Sequence, residues 1–140
     1  MNKEYEIVYV EHPDDAWGII GQGINDYNNQ QAGDQNSQIL CYVLRGPDQK
    51  VSGGVIAQIY WDWLYVDLMW MKEEVRHRGY GSRLLTLVED EARKRGAKHA
   101  HLDTFSFQAP GFYEKLGYHV FGELKDFPQG HQRYFYTKQL

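Results

Sequence analysis

Apolar and polar residues recur with two different periods along the chain, and these periods predict the order of its elements. Short apolar runs bounded by turn residues predict strands at 5–10, 39–45, 51–60, 64–71, 100–105, 118–121 and 133–137. Apolar positions three and four residues apart predict helices at 16–27, 82–95 and 109–116. Because a helix separates strands 64–71 and 100–105, these two strands are expected to pair in parallel. The pattern therefore predicts a mixed α/β fold.

The N-terminal part of this pattern is the least regular. Pro13-Asp14-Asp15 predicts a helix start with an aspartate as N-cap, although the helix is weakened by Gly18, Gly21 and Gly23. Residues 28–38 are polar and predict an exposed loop. Further on, Gly46-Pro47-Asp48-Gln49-Lys50 predicts a hairpin turn between two strands, and a final loop is expected over 123–132.

The chain is organised around residues 64–96, where a strand, a basic glycine loop and a helix follow one another. The apolar run 64–71 leads through a polar connector, 72–75, into Arg76-His77-Arg78-Gly79-Tyr80-Gly81, and a helix is expected from Ser82 to Arg95, closed by Gly96. A loop followed by a helix start offers unpaired N–H groups and the positive end of the helix dipole. Glycines 79 and 81 are expected to allow positive φ and close approach of an anion. The arginines add charge and planar donors, so this stretch predicts a phosphate site.

The helix after this loop has one apolar face and one charged face. Leu84, Leu85, Val88 and Ala92 form the apolar face. Acid-before-base pairs four residues apart are expected on the exposed side: Glu89/Arg93, Asp90/Lys94 and Glu91/Arg95. The loop itself is neither a P-loop nor a dinucleotide fingerprint, because Leu84 stands where the latter has its third glycine.

Composition narrows the class of protein. The chain has 140 residues, which predicts one domain over 1–140, and its net charge of −4 argues against nucleic-acid or ribosome association. The single Cys41 excludes an internal disulfide and a multi-cysteine metal site, and it is expected to be a small buried residue of its strand. The six histidines show no metal-ligand spacing, so no metal is expected.

Nothing in the pattern predicts a membrane segment. Residues 1–10 carry Lys3, Glu4 and Glu6, unlike a signal peptide, and the apolar region 55–71 is interrupted by polar residues. A soluble, cytoplasmic protein is expected.

Two motifs resemble the GNAT superfamily, the acetyl-CoA-dependent N-acyltransferases. Arg76, Gly79 and Gly81 match its loop Q/R-x-x-G-x-G/A, and residues 109–118 (APGFYEKLGY) resemble its A-x-x-F-Y-x-K-x-G-F/Y segment. Together with the strand order, the resemblance covers about residues 39–140. It implies a GNAT-like mixed sheet, in which an antiparallel meander precedes a splayed parallel strand pair flanked by helices. A homodimer through the C-terminal strands is implied by the resemblance alone.

The resemblance also implies a reaction and a set of residues. The backbone of residues Arg76, His77, Arg78, Gly79, Tyr80, Gly81 and Ser82 would hold the CoA pyrophosphate. Backbone groups of Met69, Trp70 and Met71 would bind the pantetheine and the acetyl oxygen, and Tyr113 would protonate the CoA thiolate. Where the family often has a pantetheine-binding Asn, this chain has Ser106, with Gln108 nearby as a substitute. Residues 28–38 would then be either a connector or a substrate-side lid.

The general base is left open. Tyr65 stands where several GNAT enzymes have a Glu, and Asp67 follows two residues later on the same face of the strand. A carboxylate in so apolar a strand needs a partner or a function, so Asp67 is either an ammonium anchor or base, or half of a structural ion pair. Asp103 has the same two interpretations, and ordered water could relay the proton instead.

The leading hypothesis is therefore an N-acetyltransferase that moves an acetyl group from acetyl-CoA to a primary amine of a small molecule or peptide, by direct attack in a ternary complex. Trp61, Trp63, Tyr65 and the acidic residues would suit a cationic or aromatic amine. The alternative is a non-catalytic, acyl-CoA-binding regulatory module.

Overall fold

The computed structural model describes residues 4–140, which divide into two compact units, 4–35 and 36–140. In the first unit, α1 spans Asp14–Ala32 and ends at Gly33, whose φ is 87°. Asp14 and Asp15 lie in its first turn, where their negative charges interact favourably with the positive end of the helix dipole. The N-cap is Pro13, so the predicted aspartate N-cap is wrong. The helix is longer than the predicted 16–27, so the predicted loop shrinks to residues 33–37.

The predicted strand at 5–10 is wrong, because these residues pair with no other strand in the part of the chain that the structure describes. Their β-branched and aromatic side chains favour extended backbone. A strand, however, also requires hydrogen-bonding partners that a local pattern does not specify.

The second unit is built on a six-stranded sheet with the order β1-β2-β3-β4-β6-β5. The strands are β1 Gln38–Arg45, β2 Val51–Tyr60, β3 Trp63–Met71, β4 His99–Phe105, β5 His119–Lys125 and β6 Gln132–Gln139. A 3₁₀ turn, Glu73–Val75, leads from β3 towards α2, which spans Tyr80–Lys94, and α3 spans Pro110–Lys115. Because β5 extends to Lys125, the predicted final loop is shorter than 123–132.

The parallel pair predicted from the helix crossover is confirmed. β3 and β4 pair only through Trp63 with His99, Leu64 with Ala100 and Tyr65 with His101, and all other neighbouring strands are antiparallel. Beyond Tyr65 and His101 the two strands diverge. This divergence is the splay implied by the resemblance.

The core lies between the sheet and α2. The predicted apolar face of this helix is confirmed, since Leu84, Leu85, Val88 and Ala92 are all buried. They pack with buried side chains of β1 to β4 and with Tyr136 of β6. Gly96, with a φ of 95°, ends the helix as predicted.

Two side chains lie on the opposite side from the one expected. Cys41 is exposed, because it alternates with the buried Leu40 along β1. Glu89 is 4% exposed and binds Tyr118 and Lys138, so the expected surface pair with Arg93 is wrong. Arg93 binds Asp90 instead, whereas the predicted Glu91–Arg95 pair is confirmed at 3.0 Å.

Within residues 4–140, no helix combines the length and the apolar character that crossing a bilayer would require.

Candidate active site

The loop between β3 and α2 presents a run of uncommitted backbone donors. Arg76 N–H donates to Glu73 C=O, and Arg83 N–H donates to Gly79 C=O. Between them, the N–H groups from His77 to Ser82 have no acceptor among the residues that the structure describes. The last three belong to the first turn of α2, where the helix supplies no acceptor. Consecutive free amides at a positive helix end form an anion site.

Two residues give this loop its shape. His77 and Gly79 adopt left-handed conformations, with φ values of 62° and 82°. Gly79 is the N-cap of α2, which begins at Tyr80 rather than at Ser82. Left-handed residues two positions apart turn the chain sharply, and such turns can direct successive N–H groups towards one anion.

Gly81 has a different role from the one expected. It lies inside α2 without positive φ, but a Cβ at this position would approach the Phe112 ring at 3.3 Å and Met69 Cε at 3.6 Å. Its missing side chain therefore lets α2, α3 and β3 meet at one point. The contact brings the anion loop next to the helix that carries Tyr113.

The two loop arginines differ in their contacts. Arg76 donates from Nε to Met71 C=O at 2.9 Å, which ties the loop to the end of β3. Arg78 is exposed and has no hydrogen bond or ion pair within residues 4–140. Its guanidinium is therefore available to a phosphate.

The end of β3 has a free edge towards β4. Residues 66–71 pair with β2 on one side, whereas β4 has already diverged on the other. Met69 and Met71 pack against the core, and Trp70 is exposed. Backbone groups along this edge can bind an extended chain such as a pantetheine by strand-like pairing.

Tyr113 projects from α3 into an aromatic cluster. Its side chain is buried against the rings of Phe112, Tyr118 and Tyr136. Burial, and after it the charge of Asp103, raise the pKa of Tyr113 to about 12. The Tyr113 hydroxyl has no hydrogen bond to a described residue. Every fully enclosed polar side-chain atom in the described part of the chain has a partner, so this hydroxyl is not fully enclosed. The hydroxyl therefore reaches accessible space as a protonated donor.

Of the two candidate carboxylates, Asp103 is paired and Asp67 is not, among the described residues. Asp103 accepts from Arg133 Nε at 2.9 Å and Nη2 at 2.6 Å, so it takes the ion-pair interpretation. Asp67 lies at a β-bulge, because Ile56 pairs with Leu68 while Ala57 pairs with Val66. The bulge exposes Asp67, which forms no hydrogen bond or ion pair to any described residue. Its carboxylate is therefore solvated rather than buried in an apolar strand.

Ser106 and Gln108 lie in the turn after β4. Ser106 Oγ accepts from Gln132 N–H at 3.0 Å, and Gln108 Oε1 accepts from Phe105 N–H at 2.8 Å and from Thr104 Oγ1 at 3.1 Å. Both side chains thus hold the turn, which leaves the Gln108 amide group as the remaining donor.

His101, which the sequence pattern did not single out, lies where β3 and β4 diverge. His101 Nε2 lies 3.1 Å from Tyr60 Oη, and its ring stacks on Tyr65 at 4.8 Å. The alternation of His99, His101 and Asp103 on one strand face is the only signal that sequence could have offered. In residues 4–140, no group of three or more His, Cys, Asp or Glu side chains could hold a metal ion.

The fold and this site define a class of protein: a mixed sheet with a splayed parallel pair, a helix start with free amides, and a buried phenol on the short helix that packs against it. Residues 4–118 match the acetyltransferase (GNAT) family. The chain belongs to this family and is an acyltransferase.

Individual relatives agree with this assignment. The chain is 36% identical over 96 residues to a blasticidin-S acetyltransferase of Streptomyces morookaense, which covers 68% of this chain and 71% of that protein. It is 35% identical over 104 residues to an acetyltransferase of Agrobacterium fabrum, covering 74% and 76% of the two chains. The crystal structure of an acetyltransferase from Bacillus cereus superposes with a TM-score of 0.85 at 35% identity, covering 96% of this chain and 98% of the other.

Proposed function

We propose that this protein transfers the acetyl group of acetyl-CoA to a primary amine of a small molecule, by direct attack within a ternary complex. The observation that carries the proposal is the run of free amides from His77 to Ser82, packed through Gly81 against Phe112 of the helix that carries Tyr113. An anion site for a diphosphate and a phenol donor for a leaving thiolate are both required by this reaction.

The donor side rests on the fit between the loop and the coenzyme. Free N–H groups, the positive end of α2 and the unpaired Arg78 are complementary to a diphosphate. The free edge of residues 66–71 suits the pantetheine arm. A Bacillus anthracis protein of the same fold, 17% identical to this chain, was crystallised with acetyl coenzyme A, which agrees with this assignment of the donor.

The chemistry of the donor is that of an acyl thioester, whose carbonyl carbon accepts the amine while the thiolate leaves. Tyr113 Oη would donate a hydrogen bond to the developing negative charge on sulfur and supply its proton. Because the pKa of Tyr113 is about 12, the hydroxyl stays protonated across the whole working range.

The acceptor side favours a cationic amine. Asp67 is exposed and unpaired near Tyr65, where it can act as an ammonium anchor or as a base. Trp61, Trp63 and Tyr65 add aromatic surface for cation–π contact. Relatives named for antibiotics, blasticidin S at 36% identity and nourseothricin at 28%, favour a small molecule over a peptide. The cytoplasmic location and pairing through the C-terminal strands stay predictions of the sequence.

The test combines a binding measurement with a thiol-release assay. Calorimetry should detect acetyl-CoA binding, and a thiol reagent should report CoA release with at least one amine from blasticidin S, nourseothricin, an aromatic monoamine and a short peptide. Because Cys41 is exposed and would react with the reagent, the assay uses Cys41→Ser. If acetyl-CoA binds tightly but none of the amines causes CoA release, the non-catalytic module is favoured. Absence of binding would contradict both functions.

Tyr113→Phe separates catalysis from binding in the same assay. We expect kcat to fall by about 100-fold or more, the size of a general-acid contribution, with the acetyl-CoA Kd unchanged within about twofold. Tyr134→Phe, a ring on β6 without a proposed proton-transfer role, is the matched control. Equal losses of kcat and affinity in Tyr113→Phe would refute the acid role.

A further inference from the structure

We infer that His101, held by Tyr60 and stacked on Tyr65, is the catalytic residue that accepts the proton of the acceptor amine. The inference rests on the proposed function, since it names a residue of the same reaction. It starts from position: Tyr65 and His101 form the last pair before β3 and β4 diverge, so the imidazole lies at the vertex of the splay. An extended acyl chain bound along the free edge of β3 would end at this vertex.

The surroundings fix the imidazole in place. Tyr60 Oη is 3.1 Å from Nε2, Tyr65 stacks on the ring at 4.8 Å, and Trp63 meets its edge at 5.6 Å. Nδ1 has no hydrogen-bond partner within the described residues. If Nε2–H donates to Tyr60, Nδ1 carries a free lone pair, which is the arrangement that a base requires.

A cleft beside the imidazole can admit the acceptor. It is open, has a volume of about 440 Å³ and is lined by Tyr60, Trp63, His101, Phe121 and Thr137. This size lies in the range of small-molecule sites. Aromatic walls with one basic nitrogen suit an amine attached to an apolar or heteroaromatic body.

The surroundings of His101 favour a neutral imidazole that can still take up a proton. Burial lowers the pKa of His101, and the charge of Asp103 on the same strand opposes this shift. Tyr65 of β3 stacks on the ring and Tyr60 of β2 contacts Nε2, while the Asp103 carboxylate is itself paired with Arg133 of β6. On the other side, β6 presents the uncharged Thr137, whose register partner on β5 is His119. At neutral pH the ring is therefore unprotonated, and Asp103 favours the imidazolium once it forms.

Proton transfer balances with this assignment. The acceptor ammonium gives one proton to His101 Nδ1, which releases it to water, and the free amine forms the C–N bond as the C–S bond breaks. The nitrogen loses its second proton to water as the amide forms. Tyr113 gives its proton to the thiolate and regains one from water, so the products are the amide, the CoA thiol and one released proton. Tyr60 is a positioning residue, since it acts through the imidazole.

His101→Gln tests the inference, with His99→Gln as the matched control on the same strand and face. Glutamine can still bind Tyr60 but does not titrate. With the best amine from the panel, wild type and His99→Gln should lose kcat/KM as pH falls through a pKa below 6.5. His101→Gln should lack this limb and lose about 100-fold in kcat at pH 7, with acetyl-CoA affinity unchanged. An acceptor that is already neutral at pH 7, such as an aromatic amine, should restore most of the rate.

The remaining outcomes are decisive. If His101→Gln keeps the wild-type rate and pH profile, the inference is wrong while the proposed function stands. If wild type binds no acetyl-CoA, the proposed function fails by itself. Nitrogen-15 NMR of the histidine rings decides the tautomer in either case, because protonation of His101 Nδ1 at neutral pH would overturn the assignment.

Discussion

At the scale of single residues, the loop shows that two neighbouring glycines can be required for different physical reasons. Gly79 is needed for its left-handed backbone, with φ at 82° and open space where a Cβ would stand. Gly81 is needed for space, because Phe112 and Met69 occupy that position. The sequence motif contains both glycines but does not distinguish strain from close packing.

Alanine substitutions should therefore separate stability from binding. Gly79→Ala should lower the free energy of unfolding by about 1–2 kcal/mol, the energy of a left-handed non-glycine residue, and Gly79→Asn should recover part of this loss. In Gly81→Ala, the gain in helix propensity of about 1 kcal/mol offsets overpacking of about 1–3 kcal/mol. Urea unfolding should change little for Gly81→Ala, while its acetyl-CoA Kd rises severalfold because Phe112 must move. An unchanged Kd in Gly81→Ala would show that this contact does not shape the anion site.

At the scale of elements, a buried ionic cluster joins α2, β6 and the segment after α3. Glu89 accepts from Tyr118 Oη at 2.7 Å and from Lys138 Nζ at 3.0 and 3.1 Å. Tyr118 also donates its N–H to Tyr113 C=O at 3.1 Å. The cluster thus connects the helix that starts at the anion loop with the helix that carries the phenol.

Removing one partner should be far more damaging than removing a surface pair. Glu89→Ala leaves the Lys138 ammonium largely buried and unpaired, which should destabilise the protein by about 3–5 kcal/mol in urea unfolding. The control Asp90→Ala breaks an exposed pair with Arg93 on the same helix and should change stability by less than about 1 kcal/mol. The double variant Glu89→Met, Lys138→Met should recover most of the loss. Similar small effects for Glu89→Ala and Asp90→Ala would contradict a buried charge cluster.

The same elements show what the sequence could and could not predict. The strand β2 was predicted with its observed ends, and the parallel pair followed from the helix crossover, because both depend on local periodicity and chain order. Glu89 was predicted to be exposed because it is charged, and Cys41 was predicted to be buried because it is small and apolar. Both predictions are wrong, because the position on the helix or strand decides burial. In the site, the loop composition indicated where the free amides lie. The pairing of Tyr65 with His101 and the bond from Arg76 to Met71 depend on contacts that no local pattern contains.

At the scale of the whole molecule, the charge of the chain opposes its proposed ligand. The net charge of the chain is −4, and a diphosphate is also negative, so the two repel each other overall. Binding must therefore depend on a local positive field. That field comes from the start of α2 and from Arg76 and Arg78, of which Arg78 is exposed and unpaired in the described part of the chain. Charges farther away than the Debye length, about 10 Å at 0.1 M salt, contribute little.

Two variants with the same change in net charge test whether the local field decides binding. Arg78→Gln should raise the acetyl-CoA Kd and reduce its dependence on salt, because it removes a charge beside the free amides. Lys94→Gln removes a charge at the other end of α2, about 20 Å away by the rise of the helix, and should leave both unchanged. Calorimetric titrations from 50 mM to 500 mM salt measure the two slopes. If Lys94→Gln weakened binding as much as Arg78→Gln, the overall charge rather than the loop would control affinity, and the diphosphate would not lie where the amides are.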